Sequence, residues 1–220
     1  MIALSNVDFI KINKDNDEYF GGNQNWWSKS YAELNEYGCG VVAICNLEIY
    51  LSGDNIECAL SHTKYMDYLE ERYFKDYGLL RCKMFQKLGL LPGKMRRGLE
   101  KFFDEKNLNY VARWAPTIIK NKIRQYIEEM LHRDIPIVAS YYVFNKKNKL
   151  NLYEFGGNKK LQLKTSIGSH YFNIVGIEVI DDKEYLVISS WGKRYYALYN
   201  RWVEKISIFS NILYLKRREG

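Results

Sequence analysis

Cys39 stands between Gly38 and Gly40 at the head of an apolar run, Val41 to Leu51. A cysteine so placed can serve as a nucleophile. The first turn of a helix offers unpaired backbone N–H groups and positive potential, which favour thiolate and can lower a cysteine pKa to roughly 3.5–7.5. The same N–H groups can hold the oxyanion formed when the thiolate attacks a carbonyl. The flanking glycines suit a sharp turn and leave room for a substrate. Taken alone, Cys39 also reads as a small packing residue, since free cysteines are commonly buried and inert. A thiol nucleophile needs a base, and the chain has three histidines. His62, beside Ser61 and Thr63 at a helix start, reads as a surface or capping residue. His132 ends a predicted helix next to Arg133, where a cation meets the negative end of the helix dipole. His170 follows Gly168-Ser169 and opens the strongest predicted strand, so its ring can face a cleft; by itself it also reads as structural.

The elements that position these residues fall into two halves. After a Gly-Asn-rich stretch, Gly21 to Asn25, and the pair Trp26-Trp27, the run Val41 to Leu51 is apolar on nearly every face and predicts a buried helix. Ser61 heads an amphipathic segment reaching about Tyr77, and Lys94 to Lys106 predicts another helix after the Pro92-Gly93 break. From there the pattern changes. Leu108 to Trp114 predicts a strand, Ile118 to His132 a helix, and then strands follow at Ile135 to Phe144, Leu150 to Phe155, His170 to Ile180, Tyr185 to Trp191, Tyr195 to Tyr199 and Ile212 to Leu215. A helical half followed by an antiparallel meander is an α+β arrangement. The expected organisation is a single domain over 1–220, with a helical lobe at about 1–107, a sheet lobe at 108–220, and the active-site cleft between them.

Two motifs extend the Cys39–His170 pair. His170-Tyr-Phe-Asn-Ile-Val-Gly176 is a strand with glycine six residues beyond the histidine, and Ser189-Ser190-Trp191-Gly192 ends the next strand. The first resembles the histidine strand of papain-like cysteine peptidases and the second their Asn-Ser-Trp-Gly signature. The cysteine precedes the histidine by 131 positions, within the family's gap of about 130–150 residues. The chain is similar to that superfamily over most of its length. It more closely resembles a compact bacterial branch that includes bacteriocin-leader-processing (double-glycine) peptidases and uncharacterised Firmicutes homologues with a Gly-Cys-Gly nucleophile turn. The resemblance implies a papain-like fold and a cysteine peptidase or related thiol acyl hydrolase. It makes Cys39 the nucleophile and His170 the base, and puts Ser189 where the family has its imidazole-orienting Asn. The family's oxyanion Gln falls on Glu33, six residues before Cys39. Gln24 is the nearest upstream Gln able to supply that amide, with Asn35 a weaker substitute. Trp191 would shield the histidine, while Trp26, Gly38 and Gly40 would line the substrate cleft. Asn173 should point to the opposite strand face from His170. No metal or organic cofactor is required, and the implied partner is a peptide or protein substrate.

Composition limits the alternatives. Hydrophobic residues make up 47% and charged residues 27%, with only three prolines, which excludes a mainly disordered chain. The net charge of +7 is spread over short clusters such as Lys94-Arg96-Arg97 and Lys216-Arg217-Arg218, as expected of a solvated surface. A basic nucleic-acid-binding protein is therefore one alternative, without a recognised motif to support it. The other is a papain-like domain that binds peptides without turnover. Cysteines at 39, 45, 58 and 82 lack CxxC spacing, so neither a zinc ribbon nor a dithiol motif is encoded. Reduced thiols, no membrane segment and no visible signal peptide predict a cytoplasmic protein, although a mature fragment of a longer precursor would look the same. Cys39 is expected to be the most reactive of the four thiols.

Overall fold

In the computed structural model, the described residues are 1–27, 32–54, 56, 58–74, 90–116, 122–143, 148–208 and 210–218. Cys82 and the Glu33 side chain lie outside them, as does the stretch from 75 to 89 that includes the expected end of the Ser61 helix. The chain is α+β, and among the described residues six α-helices accompany one large antiparallel sheet.

Two short strands, β1 (Ile2–Ala3) and β2 (Lys11–Lys14), open the chain, and β3 (Asp17–Phe20) returns on β2. Their turn is Asp15-Asn16, both at positive φ, as a two-residue hairpin requires. Then come α1 (Ala32–Tyr37), α2 (Cys39–Ser52), α3 (Ala59–Leu69) and α4 (Pro92–Glu105). In α2, every residue from Gly40 to Ile49 is buried. This is why its apolar run shows no polar face, and each fully buried Ile or Leu there contributes about 1.5–3 kcal/mol. Gly53 ends the helix in the left-handed conformation, φ 68°. The helix α3 is capped by Cys58, three residues earlier than Ser61.

The remaining elements are β4 (Tyr110–Trp114), α5 (Ile123–His132), β5 (Ile137–Tyr142), β6 (Leu150–Phe155), β7 (Leu161–Ile167), β8 (Ser169–Ile180), β9 (Lys183–Ser190), β10 (Lys193–Leu198), α6 (Tyr199–Val203) and β11 (Ile212–Arg217). The sheet runs β4-β11-β5-β8-β9-β10-β6-β7, with β1 added against β8. The expected boundary between lobes is crossed at the start of the chain: Ile2 and Ala3 pair with Ile177 and Gly176 in the middle of the sheet. A two-residue strand carries no periodicity to read, so the sequence placed residues 1–107 in the helical lobe. The central strand β8 packs against α2, which brings the strand bearing His170 against the helix headed by Cys39.

Candidate active site

Cys39 is the first residue of α2, with Gly38 as its N-cap. Gly38 has φ −79°, so the turn does not demand glycine there. Gly40 is needed for packing: a Cβ on it would lie 2.9 Å from Leu90 Cβ and 3.2 Å from Tyr171 Cδ2. Neither glycine borders the cavity beside the thiol, although the sequence places both in the substrate cleft.

The strands β8 and β9 pair from Ile180↔Lys183 as far as Asn173↔Ser189. There they part. β8 continues along β5 to Tyr142↔Ser169, while β9 turns back at Trp191-Gly192, both at positive φ. The Tyr171 N–H, in the parted stretch, donates to Cys39 Sγ over 3.5 Å. The His170 ring lies in the fork, its Nε2 2.6 Å from Ser190 Oγ and its face stacked on Trp191 at 4.3 Å between centroids. Trp191 reaches that position at φ 49°, a strained conformation for a bulky residue. Cys39, His170, Ser190, Trp191, Gln24 and Asn46 border one cavity of about 10 Å³, roughly the space of a single water. No hydrogen bond links Cys39 Sγ directly to the His170 ring, so a proton passing between them needs one water or a small approach of the two groups.

Three sequence expectations change here. Ser189 does not orient the histidine: its hydroxyl donates to Phe20 O over 2.7 Å. Successive strand residues point to opposite faces, so Ser189 shares the α2-facing side with Asn173 while Ser190 shares the side of His170. Asn173 does point away from His170, as expected, and donates to Ala43 O in α2. Gln24 borders the cavity, but its Nε2 donates to Asn35 O at 2.7 Å and Glu36 O at 3.3 Å. The last carbonyls of α1 have no intrahelical donor and capture the amide. Trp26 does not border the cavity; its ring meets Tyr19 and His62 edge-on.

The electrostatics are set by the low solvation of the pocket. Burial pushes the Cys39 thiol up, against the lowering effect of the Tyr171, Gly40 and Cys39 N–H groups. Burial also depresses His170 to about 3. The thiol and imidazole are both neutral in this arrangement. Cys58 behaves in the opposite way. It is exposed, and the Ser61 hydroxyl and N–H hold its thiol below the usual range. These directions run against the expected ranking of the two thiols.

His132 is exposed at the end of α5, its ring on Glu128 O, in the structural role expected. His62 is not a surface residue: it is fully buried, 3.6 Å from Cys45 Sγ and 3.0 Å from Asn46 Oδ1. Sequence reading missed it because Gly22, which makes room for the ring, lies forty residues away. Among the described residues, no group of three or more His, Cys, Asp or Glu is arranged to hold a metal ion, and no helix is long and apolar enough to cross a membrane. The chain matches no protein-family model and no curated protein.

Proposed function

We propose that the protein is a papain-like cysteine peptidase or closely related thiol acyl hydrolase. The supporting observation is that Cys39, at a helix N-terminus, and His170, oriented by Ser190 and covered by Trp191, border one cavity although 131 positions separate them. With Nε2–H donating to Ser190 Oγ, Nδ1 carries the lone pair that accepts the thiol proton. The thiolate then attacks an acyl carbonyl, and the Cys39 and Gly40 N–H groups face the oxyanion. Collapse breaks the C–N bond, and His170 returns its proton to the leaving amine. Water, deprotonated by the same ring, hydrolyses the thioester and restores the thiol. An acyl group is larger than the cavity, which must widen to admit one.

The capture of the Gln24 amide by α1 favours a second reading, a peptide-binding domain of the same fold without turnover. A defined peptide library incubated with the protein and read by mass spectrometry separates the two. New termini that disappear in both Cys39→Ala and His170→Ala establish the hydrolase. If no peptide is cut but alkylation of Cys39 still slows in His170→Ala, the second reading stands. Alkylation indifferent to His170→Ala, or cleavage surviving Cys39→Ala, overturns the Cys39–His170 site.

A further inference from the structure

Seven residues after Cys39, and so on the same face of α2, Asn46 is 2% exposed and engages both ends of its amide. Its Nδ2 donates to Asn173 Oδ1 over 3.0 Å, and its Oδ1 accepts from the Gly22 N–H over 3.0 Å. The same Oδ1 lies 3.0 Å from His62 Nε2. Since that oxygen can only accept, the His62 proton sits on Nε2, and Nδ1 is left without a partner.

These bonds tie together every wall of the cavity. Asn173 belongs to β8, three residues from His170, and returns a bond to α2 through Ala43 O. Gly22 belongs to the segment carrying Gln24, and its carbonyl accepts from Gly192 N in the turn that holds Trp191. Asn23 Nδ2 adds a second bond to Trp191 O. The contact at Gly22 is tight: a Cβ there would lie 2.1 Å from His62 Cε1. All three side chains are buried, and leaving one such polar group unpaired costs about 1–3 kcal/mol, so the geometry tolerates little slippage.

We propose that Asn46, held by His62 and Asn173, is a positioning residue that sets the distance of Cys39 from His170 and from the Trp191 turn. The inference rests on the thiol acyl hydrolase reading above, since the distance matters only if those two groups react together.

The test is the pH profile of iodoacetamide alkylation at Cys39, with Cys58 in the same molecule as an internal control. His170→Ala first establishes the histidine-dependent part of the wild-type rate. Asn46→Leu should remove that part, lowering it about ten- to a hundredfold as an ångström-scale misplacement does, while Cys58 labels as before. His62→Leu should act in the same direction, and His62→Gln, whose amide can still donate to Asn46 Oδ1, should restore the profile. A role confined to stability would lower the melting temperature in all three and leave the Cys39 profile of the folded protein unchanged, which overturns the proposal. If the Asn46 variant does not fold, the His62 pair decides, and ¹⁵N NMR of the wild type must show the Nε2–H tautomer; an Nδ1–H tautomer also overturns it. A Cys39 rate indifferent to His170→Ala refutes the hydrolase reading instead, so the two failures are distinguishable.

Discussion

At the head of α2 Cys39 is half-buried against β8, and at the head of α3 Cys58 caps its helix in open solvent. Both thiols sit in the positive field of a helix N-terminus and both receive hydrogen bonds. Yet one is pushed up by burial and the other is lowered by Ser61. Placement at a helix start does not by itself activate a cysteine; its solvation decides the sign. A poorly solvated thiol needs a further partner to react, and at Cys39 the candidate is His170.

Ser190→Ala should separate the two thiols most. Once the ring has taken the thiol proton it is charged, and a hydrogen bond to it is then worth about 1.5–3 kcal/mol, or roughly ten- to over a hundredfold in rate. Alkylation of Cys39, and any turnover, should fall by that factor, while Cys58 labels unchanged. Ser189→Ala should leave the His170-dependent rate near wild type, because it breaks only the bond to Phe20 O. Equal losses in the two variants would contradict the assignment of Ser190.

In the wild type, brief iodoacetamide treatment at pH 7 should label Cys58 at least about tenfold faster than Cys39, since the thiolate is the reacting form. Cys45, fully buried and also pushed up, should resist until the chain unfolds. Peptide mapping reads all three, and Cys39 labelled first would mean that its pocket opens freely.

Acid should weaken both regions. His170 and His62 fold with values of about 3, below the 6.5 of a free ring. The folded state therefore binds fewer protons than the unfolded one between these values, and stability is complete above pH 6.5 and lost as pH falls toward 3. Each ring contributes a slope of up to about 1.4 kcal/mol per pH unit. Melting curves from pH 7 to pH 4 should show the loss, made shallower by His62→Gln; a flat profile would mean that the rings are solvated. The smallest effect is expected from Ser61→Ala, which removes the hydroxyl nearest Cys58 and should slow its labelling at pH 7 by a few-fold without touching Cys39.

Much of the site was legible because its chemistry sits in short motifs. Gly-Cys-Gly before an apolar run marked Cys39, and the His170 strand with Trp191-Gly192 marked the facing wall. The choice between Ser189 and Ser190 was not legible, because it depends on which strand face meets α2. That in turn is set by a turn closed with a tryptophan at positive φ, where Asn or Gly is the usual signal. The Gln24 amide was misjudged because its competitor, the end of α1, became visible only once that helix was seen to form. The hairpin β2–β3 did carry a readable signal in Asp15-Asn16, but the polar residues around it hid the alternation. Burial of His62 depended on a glycine far away in the sequence.

The pairing of Ile2 and Ala3 with Ile177 and Gly176 also bears on the order of folding. Joining the beginning of the chain to its central strand closes a very long loop, whose entropy cost must be met before the contact repays it. During synthesis α2, which carries Cys39, is made well before β8, so one side of the candidate site precedes the other. The cleft is therefore expected to assemble late, and protection of the Gly176 amide should lag behind that of α2 in pulse-labelled refolding.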